Sequence, residues 1–270
     1  MIDGAMGTRL HERGILYHTC FEELVVSRPE IVSAVHEEYV HAGATLILTN
    51  TFGANGRRLN HHGLSARARE LNRAAVKLAR AAAGDRAYVG GTIGPSGQDE
   101  PLGVETALQQ QAEALVEAGV DALVIETMVQ SWELRVALHA AKAASRGKVP
   151  VIAHVSVDVH GLMADGTSCE DIGKQMRDLG ADVIGVNCSH GPMSMSAVES
   201  MLGLGLPVSA VPSAGLPERV DDRLVYPSTP EDFGVCARRL FALGVRIVGG
   251  CCGTTPGHIE QIVRASERRE

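Results

Sequence analysis

Short β-rich apolar runs alternate with helical patterns along the whole chain. This alternation limits the fold more than any other feature. The runs are Ala44–Thr51, Tyr88–Thr92, Ala122–Glu126, Val149–Val157, Val183–Asn187, Pro207–Val211 and Arg246–Gly250. The opening Met1-Ile2-Asp3 reads as the stub of one more, which makes eight. Between them lie stretches with apolar residues at helical spacing, such as Ile31, Val32, Val35, Tyr39 and Val40, closed by Gly43. Ser27-Arg28-Pro29-Glu30, Ser168-Cys169-Glu170-Asp171 and Thr229-Pro230-Glu231 read as helix starts, the first two as capping boxes. Ser65 and Ser131 read as openings of two more helices, and a further one is expected from about Ser194. Strands that alternate with helices give a parallel sheet with crossover helices. Eight such units in 270 residues fit a (β/α)₈ barrel, an α/β fold. A doubly wound sheet would want a dinucleotide fingerprint after its first strand, and Asp3-Gly4-Ala5-Met6-Gly7-Thr8 has too few glycines at the wrong spacing.

In such a barrel the chemistry gathers at the C-terminal ends of the strands. The polar and glycine-rich stretches fall there. The last of them is Val248-Gly249-Gly250-Cys251-Cys252-Gly253-Thr254-Thr255-Pro256. Neighbouring side chains of a regular strand point to opposite faces, so two adjacent thiols reach one object only where the strand breaks. The flanking glycines supply that break, and Thr255-Pro256 reads as an N-cap with proline at the first helical position. A third thiol, Cys188, ends the strand two places earlier in the ring. Three thiolates in one place suit Zn²⁺ and leave its fourth position open, the arrangement of catalytic zinc sites. His190 is the remaining donor on paper; Cys20, Cys169 and Cys236 read as structural.

A net charge of −7 without a basic block argues against nucleic acid as a partner. No apolar run is long enough to span a bilayer, and no basic-then-apolar leader opens the sequence. Six cysteines in a chain of this length do not make a disulfide scaffold, so a reducing cytoplasm is the simplest setting.

The order of motifs resembles the homocysteine S-methyltransferase family. The matching segments are Asp3-Gly4-Ala5-Met6-Gly7-Thr8, Thr49-Asn50-Thr51-Phe52-Gly53-Ala54-Asn55, Gly94-Pro95-Ser96-Gly97, Glu126-Thr127, Gly185-Val186-Asn187-Cys188-Ser189 and Gly249-Gly250-Cys251-Cys252-Gly253-Thr254-Thr255-Pro256. They run in order from the first residues to the last strand. The resemblance implies one barrel over residues 1–270, with Cys188, Cys251 and Cys252 on Zn²⁺ and a methyl group moved to the thiolate of homocysteine. It points to Asp3 and Glu126 for the substrate ammonium, and Asn187 is expected beside them or steadying the zinc loop. A thiolate among three others keeps its electron density and stays nucleophilic, so no general base is strictly needed. The donor is left open among methylfolate through a corrinoid, S-methylmethionine and S-adenosylmethionine. A cysteine-nucleophile hydrolase and a non-catalytic homocysteine and zinc module are the alternatives.

Two departures stand out. Only two residues precede Asp3, and Ser213 stands where asparagine is expected before Ala214-Gly215. The short first strand and the resemblance of Cys20-Phe21-Glu22-Glu23-Leu24 to two-part bacterial proteins suggest a module of a longer protein. Its fused partner would be a methylenetetrahydrofolate reductase or a corrinoid module.

Overall fold

The computed structural model describes residues 1–16, 18–97, 101–189, 191–220 and 223–267. Six parallel strands follow one another in sequence order: β1 (Leu46–Leu48), β2 (Tyr88–Ile93), β3 (Ala122–Met128), β4 (Val151–Val155), β5 (Val183–Asn187) and β6 (Val208–Val211). A small antiparallel hairpin, β7 (Glu218–Val220) with β8 (Arg223–Val225), stands apart from the sheet. The last strand, β9 (Ile247–Val248), then pairs in parallel with β6.

The ring closes through the N-terminal stub. Ile2 bridges to Leu46 in parallel. Its N–H donates to Val248 O at 3.0 Å, while Asp3 N–H donates to Leu46 O at 3.0 Å and Gly250 N–H to Asp3 O at 3.0 Å. Residues 1–3 are therefore hydrogen-bonded to β1 on one side and to the β9 segment on the other. This stub and the seven strands of the sheet make the expected eight-membered parallel ring, a (β/α)₈ barrel.

Helical segments follow each strand in turn. After the stub come α1 (Gly7–Glu12), α2 (Leu24–Ser27) and α3 (Pro29–His41). After β1 come α4 (Gly56–Leu59) and α5 (Ala68–Ala83). Then α6 (Val104–Ala118) follows β2, α7 (Ser131–Ser145) follows β3 and α8 (Cys169–Asp178) follows β4. A 3₁₀ segment, Pro192–Met201, takes the place of the helix expected after β5. α9 (Pro230–Ala242) follows the hairpin, and α10 (Pro256–Glu267) follows β9.

The strand residues sort by parity. Ile47, Leu123, Ile125, Ala153 and Ile184 join the large core shared with the helices. Their alternates Leu46, Leu48, Val124, Ile152 and Ile247 form a separate small cluster, which fills the barrel interior. Among the described residues, no helix is long and apolar enough to cross a membrane.

Two helix starts differ from the sequence reading. Ser27 does not cap α3: it is the last residue of α2, its hydroxyl bonds back to Glu23 O at 3.4 Å, and Arg28 holds the cap position without a side-chain bond. A serine inside a helical turn prefers its own i−4 carbonyl, and Pro29 at the first position removes one amide that a cap would serve. Ser65 likewise donates to Gly56 O at 2.7 Å, and α5 begins three residues later, after a 3₁₀ turn. Ser168 does accept from Asp171 N–H, and Thr229 with Asp232 forms a full reciprocal capping box.

Candidate metal and substrate site

The C-terminal mouth of the barrel brings the three predicted thiols together. β9 stops at Val248, so Cys251 and Cys252 lie on a turn and not on a pleat. That turn is pinned to the loop after β6: Cys251 N–H donates to Pro212 O, and Ala214 N–H to Cys252 O, both at 2.8 Å. Gly253 is obligatory there. Its φ is +79°, and a Cβ on it would lie 2.1 Å from the Tyr226 ring. Cys188 follows the last residue of β5 with φ +55°, a left-handed conformation uncommon outside glycine, and its N–H is held by Val211 O at 3.0 Å. The Sγ atoms of Cys188 and Cys252 are 3.4 Å apart, and all three sulfurs lie within 4.8 Å of one another.

No disulfide links them. Hydrogen bonds from the Cys188 and Cys251 thiols hold Cys252 far below an ordinary thiol, at about 3. Cys251, which gives bonds to both neighbours, is pushed well up. A group that already stabilises one thiolate, with two more sulfurs in reach, can hold a metal ion. Cys20, Cys169 and Cys236 lie outside the group, and burial raises each of their thiols to about 11. His190 lies outside the described residues. His154 is buried on β4, and His61 and His62 are exposed, so none of these joins the thiols.

The predicted acids meet at the same mouth. Asp3 is buried where the stub ends, and its Oδ2 accepts the Leu48 N–H at 2.9 Å. Burial carries its carboxyl well above the ordinary range, and the charge of Glu126 adds to the rise. Glu126 stands near the end of β3. Burial, then the charge on Cys252, raise it to about 8. Among the described residues, neither acid has a basic partner.

Asn187 does not stand free for a ligand; it ties the mouth together. Its Oδ1 accepts the Thr127 N–H at 2.8 Å, and its Nδ2 donates to Thr127 Oγ1 at 2.9 Å and to Glu126 Oε2 at 3.3 Å. Thr127 has φ +60°. Asn187, one position before Cys188, thus holds a left-handed residue near the end of β3, one position after Glu126. The loop at Ser213 is also well defined. The buried hydroxyl donates to Ser189 O at 2.7 Å, a contact that keeps the loops after β5 and β6 together.

Thiols and acids line one cavity of about 480 Å³. Its wall continues over Glu22 and Phe52, which the sequence reading names only within longer segments and gives no role, and over Arg58, which it does not name. Glu22 is 31 positions from Gly53 yet accepts its N–H at 2.6 Å. No local pattern announces a contact of that range.

With this geometry in hand, the comparisons with known proteins agree. The family model described as homocysteine S-methyltransferase matches residues 1–266. The chain belongs to the homocysteine S-methyltransferase family. It is 33% identical over 294 residues to a methionine synthase of Mycobacterium leprae, covering 98% of this chain and 24% of that protein. The methionine synthase of Mycobacterium tuberculosis is also 33% identical, over 97% of this chain and 24% of its own length. The chain thus spans about a quarter of the curated relatives it matches. Among solved structures, the metallated form of the homocysteine methyltransferase MmuM from Escherichia coli superimposes with a TM-score of 0.80 at 26% identity, covering 97% of this chain and 94% of that one.

Proposed function

We propose that this chain transfers a methyl group to the thiol of homocysteine, giving methionine, with Zn²⁺ held by Cys188, Cys251 and Cys252. The observation that carries the reading is the meeting of three thiols, within 4.8 Å, with the buried Asp3 and the half-buried Glu126, neither of them ion-paired among the described residues, in one cavity. Family membership and the two methionine synthases support the reaction; the metallated E. coli relative supports the metal. Three sulfur donors at a strand-end turn suit zinc in both number and softness. Zinc bound there would lower the pKa of a substrate thiol from about 8.5, so that the thiolate exists at neutral pH.

The chain's own groups do the rest. Glu126 and Asp3 present two carboxyls and no counter-ion. A substrate ammonium supplies that counter-ion and draws a carboxylate back into its charged form, so recognition couples to proton release. Asn187 fixes Glu126 relative to Cys188, and hence the ammonium relative to the sulfur. In the transfer, the sulfur–methyl bond forms as the donor–methyl bond breaks, and the bonding pair leaves with the donor.

Candidate donors are S-methylmethionine, S-adenosylmethionine and methylfolate through a corrinoid. A second reading is a module that binds homocysteine and metal but awaits a donor module. The chain's spanning 24% of the methionine synthases is the observation behind it. The test is elemental analysis and methionine formation with each donor in turn. Wild type should retain zinc and bind homocysteine; Cys188→Ala, Cys251→Ala and Cys252→Ala should lose both and keep the fold. Full zinc in Cys251→Ala would refute the ligand assignment.

A further inference from the structure

The first and last segments of the ring meet in a network of side chains that do not themselves line the cavity. Asp3, the proposed partner of the substrate ammonium, lies in the first segment; Cys251 and Cys252 lie in the last. Gly250 N–H donates to Asp3 O at 3.0 Å, and Gly253 N–H to Thr8 Oγ1 at 3.2 Å. Thr254 adds a side-chain link. It is fully buried, and its Oγ1 donates to Cys251 O at 2.7 Å and accepts Ala5 N–H, 249 positions away, at 3.1 Å. One hydroxyl thus holds both the turn of the thiols and the segment that carries Asp3.

Tyr39 of α3 locks this junction from outside. It is fully buried, and its hydroxyl lies 2.9 Å from Ala5 O and 3.0 Å from Thr254 O, so a single proton is shared between one carbonyl from each segment. The fit is close. A Cβ on Gly4 would lie 2.7 Å from Tyr39 Oη and 2.8 Å from Thr254 Oγ1, and one on Gly250 would lie 2.5 Å from Thr254 Oγ1. Only a residue without a side chain lets the hydroxyls come this near the backbone. Neither Tyr39 nor Thr254 lines the cavity, so any effect on substrate passes through Asp3 and Cys251. The other acid, Glu126, is tied toward Cys188 by Asn187. Each acid is therefore fixed relative to a thiol by its own network, and the two ties share no residue.

A thiol amino acid bound here places its sulfur at the thiols and its ammonium at the acids. The number of methylenes between those two groups sets its reach. Across a fixed span, a molecule one methylene shorter satisfies only one end. Resting on the homocysteine methyltransferase reading, we propose that Thr254 and Tyr39 are positioning residues that set the span from the thiol turn to Asp3, and so select the thiol amino acid by chain length. Homocysteine fits the span; cysteine, one methylene shorter, does not. Loss of either hydroxyl leaves the backbone bonds of Ile2 and Asp3 to Val248 and Leu46 in place, so the ring stays closed while the span loosens.

The test measures binding of homocysteine and of cysteine to the zinc-loaded full chain by calorimetry. Wild type should favour homocysteine about tenfold or more, the scale of one methylene in a fitted site. Thr254→Val and Tyr39→Phe keep the shape and remove one hydroxyl each; both should cut that preference about threefold or more, chiefly by weakening homocysteine. Thr254→Ser keeps the hydroxyl and should hold the wild-type preference. A second measurement needs no variant: zinc, added without any amino acid, should slow hydrogen exchange in the peptide that contains the Ala5 amide, because the metal stiffens the turn that holds it. An unchanged preference in both hydroxyl-free variants overturns the assignment, whatever their melting temperatures. So does a Thr254→Ser protein as impaired as Thr254→Val, a wild type that does not distinguish the two amino acids, or an Ala5 exchange rate indifferent to zinc. Should the variants fail to fold, the exchange measurement decides. Wild type that binds neither zinc nor homocysteine overturns the underlying methyltransferase reading.

Discussion

Replacing Asn187 by alanine should damage both the fold and the site, by amounts that the geometry sets. Asn187 is fully buried and makes three contacts at the mouth. Its removal leaves the Thr127 N–H without its acceptor, which costs about 1–3 kcal/mol. The small void adds about 1 kcal/mol. The expected total is about 2–4 kcal/mol, read as a lower denaturation midpoint at unchanged slope. Thr127 carries a further signature. A left-handed non-glycine residue costs about 1–2 kcal/mol, and the Asn187 bonds offset that cost. Thr127→Gly in the wild-type background loses the 2.9 Å bond to Asn187 but relieves the backbone, and should come out near neutral. In the Asn187→Ala background nothing remains to lose, so the same change should restore about 1 kcal/mol. The two substitutions should therefore be non-additive in that direction. Glu126 loses one donor as well, so homocysteine binding should weaken while zinc stays. A cost below about 0.5 kcal/mol, with unchanged homocysteine KM and additive substitutions, would refute the clamp.

Glu126→Gln should keep zinc and weaken homocysteine binding about tenfold or more, as measured by calorimetry. In the metal-free protein Glu126 sits at about 8 against an ordinary 4.5. A raised acid binds its proton more tightly when folded, so its stabilising contribution is complete below about 4.5 and is lost as pH rises to about 8; Glu126→Gln should flatten that decline in urea melts. His36 has the opposite sign. It is buried on α3 with both ring nitrogens unpartnered, and burial lowers it from 6.5 to about 4. Its contribution is present above about 6.5 and disappears as pH falls through about 4; His36→Leu should remove one proton's worth of that acid sensitivity, and an unchanged pH profile would count against it. Gly253→Ala must displace Tyr226 or the turn that carries Cys252, so metal content should fall along with melting temperature; full zinc at wild-type stability would show that the turn tolerates a side chain.

The fold and the meeting of the three thiols were legible in the chain because their signals are local. Seven apolar runs, helix caps such as Ser168 and Thr229, and glycine stops mark each unit, and a parallel strand–helix alternation of this length has few ways to close. Adjacent cysteines within a glycine-rich strand end announced a broken strand on their own. The first strand shows the limit of that reading. Met1-Ile2-Asp3 is too short to be read with any period, and only pairing with both β1 and β9 makes it a barrel member.

The tertiary structure decided what side chains face one another. Asn187 reads from sequence as a substrate residue or a loop support; the fold gives it three bonds, to Thr127 and Glu126, that tie β5 to β3. The positive φ of Thr127 and Cys188 leaves no trace in residue type, because neither is a residue that prefers it. Ser27 has a capping-box pattern, yet the preceding turn claims its hydroxyl first. Glu22, in a 3₁₀ turn after the stub, and Arg58, in α4 after β1, come near each other only because the ring brings both to Gly53. Local sequence sets which elements form and where they stop. Contacts across the barrel mouth depend on closure of the ring, which places residues distant in sequence side by side.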